Sequence, residues 1–258
     1  MIVNGAVSHE NPERLDYEAF VRERVAEVRQ RIDAAVGSRS VAVAHGQQDV
    51  VLVAVTKTHP ASAVLAAWHA GVRDVGENKV QEAEGKMAEL VNASFAGSTL
   101  AVPVRWHLIG HLQRNKAKAA VRFDLVHSID SERLALAVNE AALAANKVQD
   151  VLMQVNVSGE GSKGGVAVHE VASFAAALHR CGNLRVTGVM TMAPFEAPET
   201  VLRAVFSGAR AVGEQLRTEG HPATVLSMGM SDDYEVAVAE GATLVRLGTV
   251  LFGHRASP

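Results

Sequence analysis

Residues 50–71 read VVLVAVTKTHPASAVLAAWHAG. The first six are apolar, mostly β-branched and without alternation, the pattern of a strand covered on both faces. A polar corner, Thr56-Lys57-Thr58, follows, and then Pro60 and an Ala-rich stretch of helical character that stops at Gly71. Strand, corner and helix make one βα unit, and a strand buried on both faces belongs in a parallel sheet. The pattern repeats along the chain. Further buried strands are expected at RDV (73–75), VRWHLI (104–109), DLVHSI (124–129), DVLMQVNV (150–157), LRVTGVM (184–190), ATVLS (223–227) and TLVRL (243–247). SERLALAVNEAALAANK (131–147) and HEVASFAAALHRCG (169–182) are the clearest of the other helices. Eight such units predict an α/β fold, a single-domain (β/α)8 barrel, for which about 250 residues is the usual size. A doubly wound open sheet is the competing arrangement.

Ahead of the first strand, Val21, Val25, Val28 and Ile32 step by four, three and four residues with Arg and Glu between them. That is one apolar face of an extra N-terminal helix outside the barrel, with Asn11 as its N-cap and Pro12 in its first turn. Residues 1–12 are expected to be a flexible N-terminus, 13–258 the barrel domain, and 37–49 and 92–103 loops.

The 258 residues carry 25 Lys+Arg against 28 Asp+Glu, and 48% are apolar. This is the composition of a soluble globular chain. The mildly acidic balance argues against a nucleic-acid binder. No unbroken apolar run exceeds six residues, far short of the roughly 20 that a membrane span needs. The N-terminus lacks the basic and apolar regions of a secretory signal. One cysteine, Cys181, excludes an internal disulfide. Together these features predict a cytoplasmic protein.

In a barrel the chemistry gathers at the C-terminal ends of the strands. Lys57 follows six apolar residues, and a lysine desolvated at a barrel mouth offers a neutral amine for Schiff-base formation. A snorkelling lysine at a strand end is the other reading. Ser227, Gly229 and Ser231 after strand seven, with Gly248-Thr249 after strand eight, offer hydroxyls and backbone N–H groups where barrels often hold phosphate. Turn and capping chemistry explains either segment alone, with Asp232 as the cap of the next helix. Arg246 sits one residue inside its strand end, to point into the mouth or to pair with an acid. An amine for an aldehyde, a cup for a phosphate and an inward arginine together match pyridoxal 5′-phosphate.

The segments that carry these groups resemble the pyridoxal phosphate homeostasis proteins, whose barrel is that of the alanine racemase N-terminal domain. WHLIGHLQRNKAK (106–118) is the most specific piece. VAVTKTHP (53–60), GENKVQEAEGK (76–86), GVMTMAP (188–194) and LSMGMSDDYEVAVAEGATLVRLGTVLFG (226–253) are also family-like. The resemblance covers about residues 13 to 254. It implies that Lys57 forms the Schiff base and that Ser227, Gly248 and Thr249 hold the phosphate with backbone help near Met228 and Gly229. It places Arg246 beside the pyridine nitrogen, with Asn78 and the 107–111 segment, His107 included, near the ring. The implied function is to hold pyridoxal phosphate and support vitamin B6 homeostasis as a monomer without established turnover, passing the cofactor to acceptor enzymes. Lys79, Lys86 and Lys163 are then candidate docking amines for release. A racemase of the alanine racemase type is the alternative. Such racemases draw a tyrosine acid/base from a second domain, which this chain, ending at Pro258, is not expected to have; its tyrosines are Tyr17 and Tyr234.

Other signals carry less. His107 and His111 are four apart, but Gly110 breaks the helical spacing of a zinc pair. The 159–165 loop lacks the Gly-Lys-Ser/Thr core of a P-loop. The basic run Arg114 to Arg122 reads as a solvated helix face. Cys181 reads as a structural cysteine, and Met190, Met192, Met228 and Met230 as packing at the mouth.

Overall fold

The structure is a computed structural model, and it describes residues 12–41, 43, 49–92, 103–161 and 163–253. Eight parallel strands close into a barrel. They are β1 (Val51–Val55), β2 (Asp74–Glu77), β3 (Arg105–Leu108), β4 (Leu125–Ile129), β5 (Gln149–Asn156), β6 (Leu184–Met190), β7 (Val225–Ser227) and β8 (Leu244–Leu247). Neighbours in sequence are neighbours in the sheet, β4 pairs with β5, and β8 closes on β1 with Val53 opposite Arg246. The closed ring excludes the open sheet. A two-residue strand, Val166–Ala167, hangs on the end of β5 outside the ring.

Side chains alternate across each strand, as the pleat requires. Val53, Leu125, Leu152, Met190 and Leu244 form one apolar cluster inside the barrel. Their neighbours Leu52, Ala54, Val126, Val151, Val189 and Val245 pack outward against the helices. The helical layer holds α1 (Pro12–Gly37), α2 (Ala61–His69), α3 (Val80–Asn92), the single turn α4 (Ala117–Ala120), α5 (Glu132–Ala144), α6 (Val171–Leu178), α7 (Glu199–Thr218), α8 (Tyr234–Ala239) and the short α9 (Thr249–Phe252). On α5, Leu134, Ala135, Val138 and Ala142 make the buried stripe, and Ser131 is the N-cap.

The extra helix is α1. Val21, Val25, Val28 and Ile32 are all buried against α2 and α8, each contributing about 1.5–3 kcal/mol of burial. Arg29 ties the helix to the barrel by donating to the Gly71 carbonyl. Pro12 opens the helix, so it does not belong to a loose N-terminus. Asn11, the rest of the 1–12 segment, most of the 92–103 loop and Ser162 lie outside the described residues. Arg114 to Arg122 is a 3-10 turn, Arg114–Lys116, followed by the single turn of α4, rather than one longer helix. Among the described residues no helix is long and apolar enough to cross a membrane.

Candidate functional site at the barrel mouth

A cavity of about 650 Å³ opens at the C-terminal ends of the strands, within the range of small-molecule sites. Lys57 lines it from the corner after β1, and Asn78 from the corner after β2. Arg246 lies on its floor, and Ser231, Gly248 and Thr249 are on the wall after β7 and β8. Five of the nine residues expected at a cofactor site therefore meet in one space: Lys57, Asn78, Arg246, Gly248 and Thr249. Gln154, Met192 and Phe195 complete the wall. Gln154 was not expected here. It sits inside a strand run, where a lone polar side chain in an apolar pattern is the only available signal.

The other four expected residues do not line the cavity. His107 and Ser227 lie beneath it inside the barrel, and Met228 and Gly229 are buried where the chain leaves β7. The Ser227 hydroxyl is fully buried and already engaged. Arg246 donates to it at 2.7 Å, and His127 Nδ1 stands 2.9 Å away. The serine that reaches the cavity is Ser231, four residues on, whose Oγ accepts from the Val250 N–H at 3.4 Å. Gly229 makes the difference. Its φ of +95° turns the chain back, and a Cβ there would stand 2.7 Å from that of Ala237. Asp232 lines the cavity, and the N-cap of α8 is its neighbour Asp233, whose carboxylate accepts from the Met230 N–H at 2.6 Å.

Two buried networks hold the mouth from below. One lies under Lys57. Lys86 Nζ donates to the Thr56 carbonyl at 2.6 Å, to Glu77 Oε1 at 2.6 Å and to Glu82 Oε1 at 2.9 Å, and the Thr56 hydroxyl donates to the same Glu77 oxygen. Glu82 also accepts from the N–H of Thr58, which holds a left-handed φ of 64°. Lys86 is thus fixed in a buried ion pair and is not available as a docking amine. Lys79 is exposed, and Lys163 is half-buried with its amine 3.4 Å from the Ala193 carbonyl. Gly110 packs against the other side of this region, since a Cβ there would fall 2.3 Å from the Asn78 carbonyl oxygen.

The second network runs through the barrel. Arg105 grips both oxygens of Asp74, at 2.8 and 2.5 Å. His107 Nε2 is 2.9 Å from Asp74 Oδ1, and His107 Nδ1 is 2.9 Å from His127 Nε2. The chain then passes to Ser227 and Arg246, whose other terminal nitrogen donates to the Thr191 carbonyl at 3.0 Å. Burial pushes the Arg246 guanidinium down to about 10, partly opposed by the charge of Asp233, so it stays protonated at neutral pH. His127 is held well below the usual histidine value, by burial first and then by His107 and Arg246. Burial also lowers His221, which stacks on His179. The folded state therefore favours neutral His127 and His221. Their stabilisation is complete above about pH 6.5 and is lost as the pH falls below it, by up to about 1.4 kcal/mol per pH unit for each group. The urea midpoint is expected to drop between about pH 7 and about pH 5.5; an unchanged midpoint across that window would contradict the buried neutral histidines.

His107 is committed to this network, whereas His111 is exposed and 3.4 Å from Asp130, so the two do not converge as a metal pair.

Barrel, mouth and basic floor define a class, and comparison with known proteins agrees with it. Residues 38–256 match the family model of the alanine racemase N-terminal domain. The alanine racemase of Streptomyces coelicolor A3(2) shares the fold, with a TM-score of 0.69 at 21% identity over 92% of this chain and 59% of that one. Much nearer is the pyridoxal phosphate homeostasis protein of Pseudomonas aeruginosa, 42% identical over 91% of this chain and 96% of the relative. The structure of PipY from Synechococcus elongatus PCC7942 with pyridoxal phosphate bound is 35% identical, with a TM-score of 0.75, over 90% of this chain and all of the other. The chain belongs to the family of pyridoxal phosphate homeostasis proteins.

Proposed function

We propose that this chain binds pyridoxal 5′-phosphate at the barrel mouth as a Schiff base of Lys57 and supports the intracellular supply of the cofactor without catalytic turnover. The observation that carries the reading is the meeting of Lys57, Arg246 and the Ser231–Gly248–Thr249 wall around one cavity. The donor set fits the group: an amine, an anion cup and a buried cation at separate walls. When bound, the cofactor supplies an electrophilic aldehyde and an electron-withdrawing ring.

Lys57 offers the amine. The hydroxyls of Ser231 and Thr249 and the turn at Gly248 take the phosphate, with Ser231 in the part that the resemblance assigns to Ser227. Arg246 would hold the ring-nitrogen end of the cofactor as a fixed donor, and its charge would disfavour a proton there, because two like charges in one buried site are costly. Carbanion chemistry on the bound cofactor would be weakened accordingly. Asn78 and Gln154 bound the ring's space, and Met228 and Gly229 support the turn from behind.

The racemase reading needs an acid/base on the opposite face. Neither Tyr17 nor Tyr234 lines the cavity; Tyr234 is buried on α8 under Arg31 of α1. The family relationship favours a monomer that delivers the cofactor to acceptor enzymes, and a chain with a single cysteine suits the reducing cytoplasm. The test is spectroscopic and isotopic together. The purified protein should develop an imine absorbance band with pyridoxal phosphate, and it should leave the α-protons of alanine and serine unexchanged in deuterated water. No band removes the binding reading. A band with rapid α-proton exchange makes the protein an enzyme.

A further inference from the structure

The buried chain from Asp74 to Arg246 has one consistent direction. Asp74 is ionised, its pKa lowered by hydrogen bonds from His107 and Arg105 against the cost of burial. A carboxylate only accepts, so His107 Nε2–H donates to it. A neutral His107 then has a bare Nδ1, which requires His127 Nε2 to carry the proton that joins the two rings. His127 Nδ1 is left as an acceptor, and the hydrogen bond to it comes from the Ser227 O–H. The Ser227 oxygen lone pairs are thereby turned to the Arg246 N–H. A protonated His107 would reverse these bonds and strand the Ser227 proton in a fully buried site.

We propose that Asp74, His107, His127 and Ser227 are positioning residues, a one-way hydrogen-bond relay that anchors the Arg246 guanidinium on the cavity floor and couples it to a carboxylate at the opposite end of the barrel. Asp74 opens β2 and lines a separate cavity at the N-terminal end of the strands, with Arg105, Val51 and Arg73. It does not touch the mouth. Within the relay, charge at one end is felt at the other because each link polarises the next. The relay's effect on bound cofactor rests on the proposed function; its internal order does not.

The groups around Arg246 that carry or can carry charge are Lys57, His111 and Asp232 on the cavity wall, Asp233 behind it and His127 below. The first four are untouched by the variants used here. Nitrogen-15 NMR of the cofactor-free protein should show both His107 and His127 as Nε2–H tautomers, with His127 still neutral where a free imidazole takes up a proton. Either ring as the Nδ1–H tautomer overturns the relay. With pyridoxal phosphate bound, Asp74→Asn removes a negative charge remote from the mouth and should lower the pH midpoint of the imine band, shifting the protonation ratio about three-fold. Ser227→Ala, which cuts the link beside Arg246, should shift it in the same direction. Midpoints equal to wild type in both folded variants overturn the coupling. Should wild type form no imine band, the proposed function fails, while the histidine signals still decide the relay.

Discussion

Lys57→Ala is expected to abolish covalent retention of pyridoxal phosphate. Borohydride reduction of the loaded wild-type protein should leave an adduct on the peptide that contains Lys57. The variant should carry at least about ten-fold less cofactor through gel filtration, as expected when a covalent link gives way to phosphate and ring contacts alone. The argument is positional. Among the lysines, Lys57 is the one that lines the cavity together with Arg246 and Thr249, whereas Lys86 is locked below it and Lys79 faces the neighbouring cleft. Lys57 sits at a half-buried corner rather than in the core, so the cofactor-free variant should still fold and unfold in one cooperative transition, checked by its melting curve. An adduct that maps to another lysine, or undiminished retention by the variant, would sink the assignment.

Lys86→Met is expected to be the most destabilising single change near the mouth, by about 3–5 kcal/mol, the cost of breaking a buried ion pair from one side. Glu77 is fully buried, its second oxygen has no partner, and burial raises its pKa even with Lys86 and Thr56 bonded to it. Without Lys86 the carboxyl loses its counter-charge, and the Thr56 carbonyl loses its donor. The double variant Glu77→Gln/Lys86→Met should recover part of the loss, because an uncharged pair no longer carries the desolvation of an isolated ion. Urea unfolding measures both. A loss below about 1 kcal/mol for the single variant would mean that the pair contributes no more than a surface ion pair. Glu82 also holds Thr58 at its left-handed φ, so cofactor affinity should fall along with stability.

The eight strands were legible because each is a short apolar run between helical stretches, and the helix face of α1 was legible from its spacing. Lys57, Arg246 and the Gly248-Thr249 turn could be read because strand ends are the one place where a barrel puts chemistry. Ser227 and Ser231 could not be separated. Both flank the same turn, and the fold at Gly229 sends one hydroxyl inside the barrel and the other to the mouth. Lys86 looked like a mouth lysine because it is close to Glu77 and Asn78 in sequence; its burial depends on how α3 lies on the corner after β1. His127 stood in the strand run DLVHSI with nothing to distinguish it. Its partners, His107 and Ser227, come from β3 and β7, and only ring closure brings them together.

The relay is shared across the seam of the molecule. Asp74, His107 and His127 come from the first four strands, and Ser227 and Arg246 from the last two. A chain folded only as far as β4 would have Asp74 held by Arg105 and joined to two imidazoles, with neither the Ser227 hydroxyl nor Arg246 to complete the line. The second half alone would keep Arg246 on Ser227 and the Thr191 carbonyl, without the two imidazoles that lead to Asp74. Partly satisfied polar groups in a core are destabilising. Neither half is therefore a good resting place during folding, and late closure of β8 on β1 is rewarded by polar completion as well as by apolar burial. A mispaired or unclosed barrel would forgo these hydrogen bonds as well as the apolar burial.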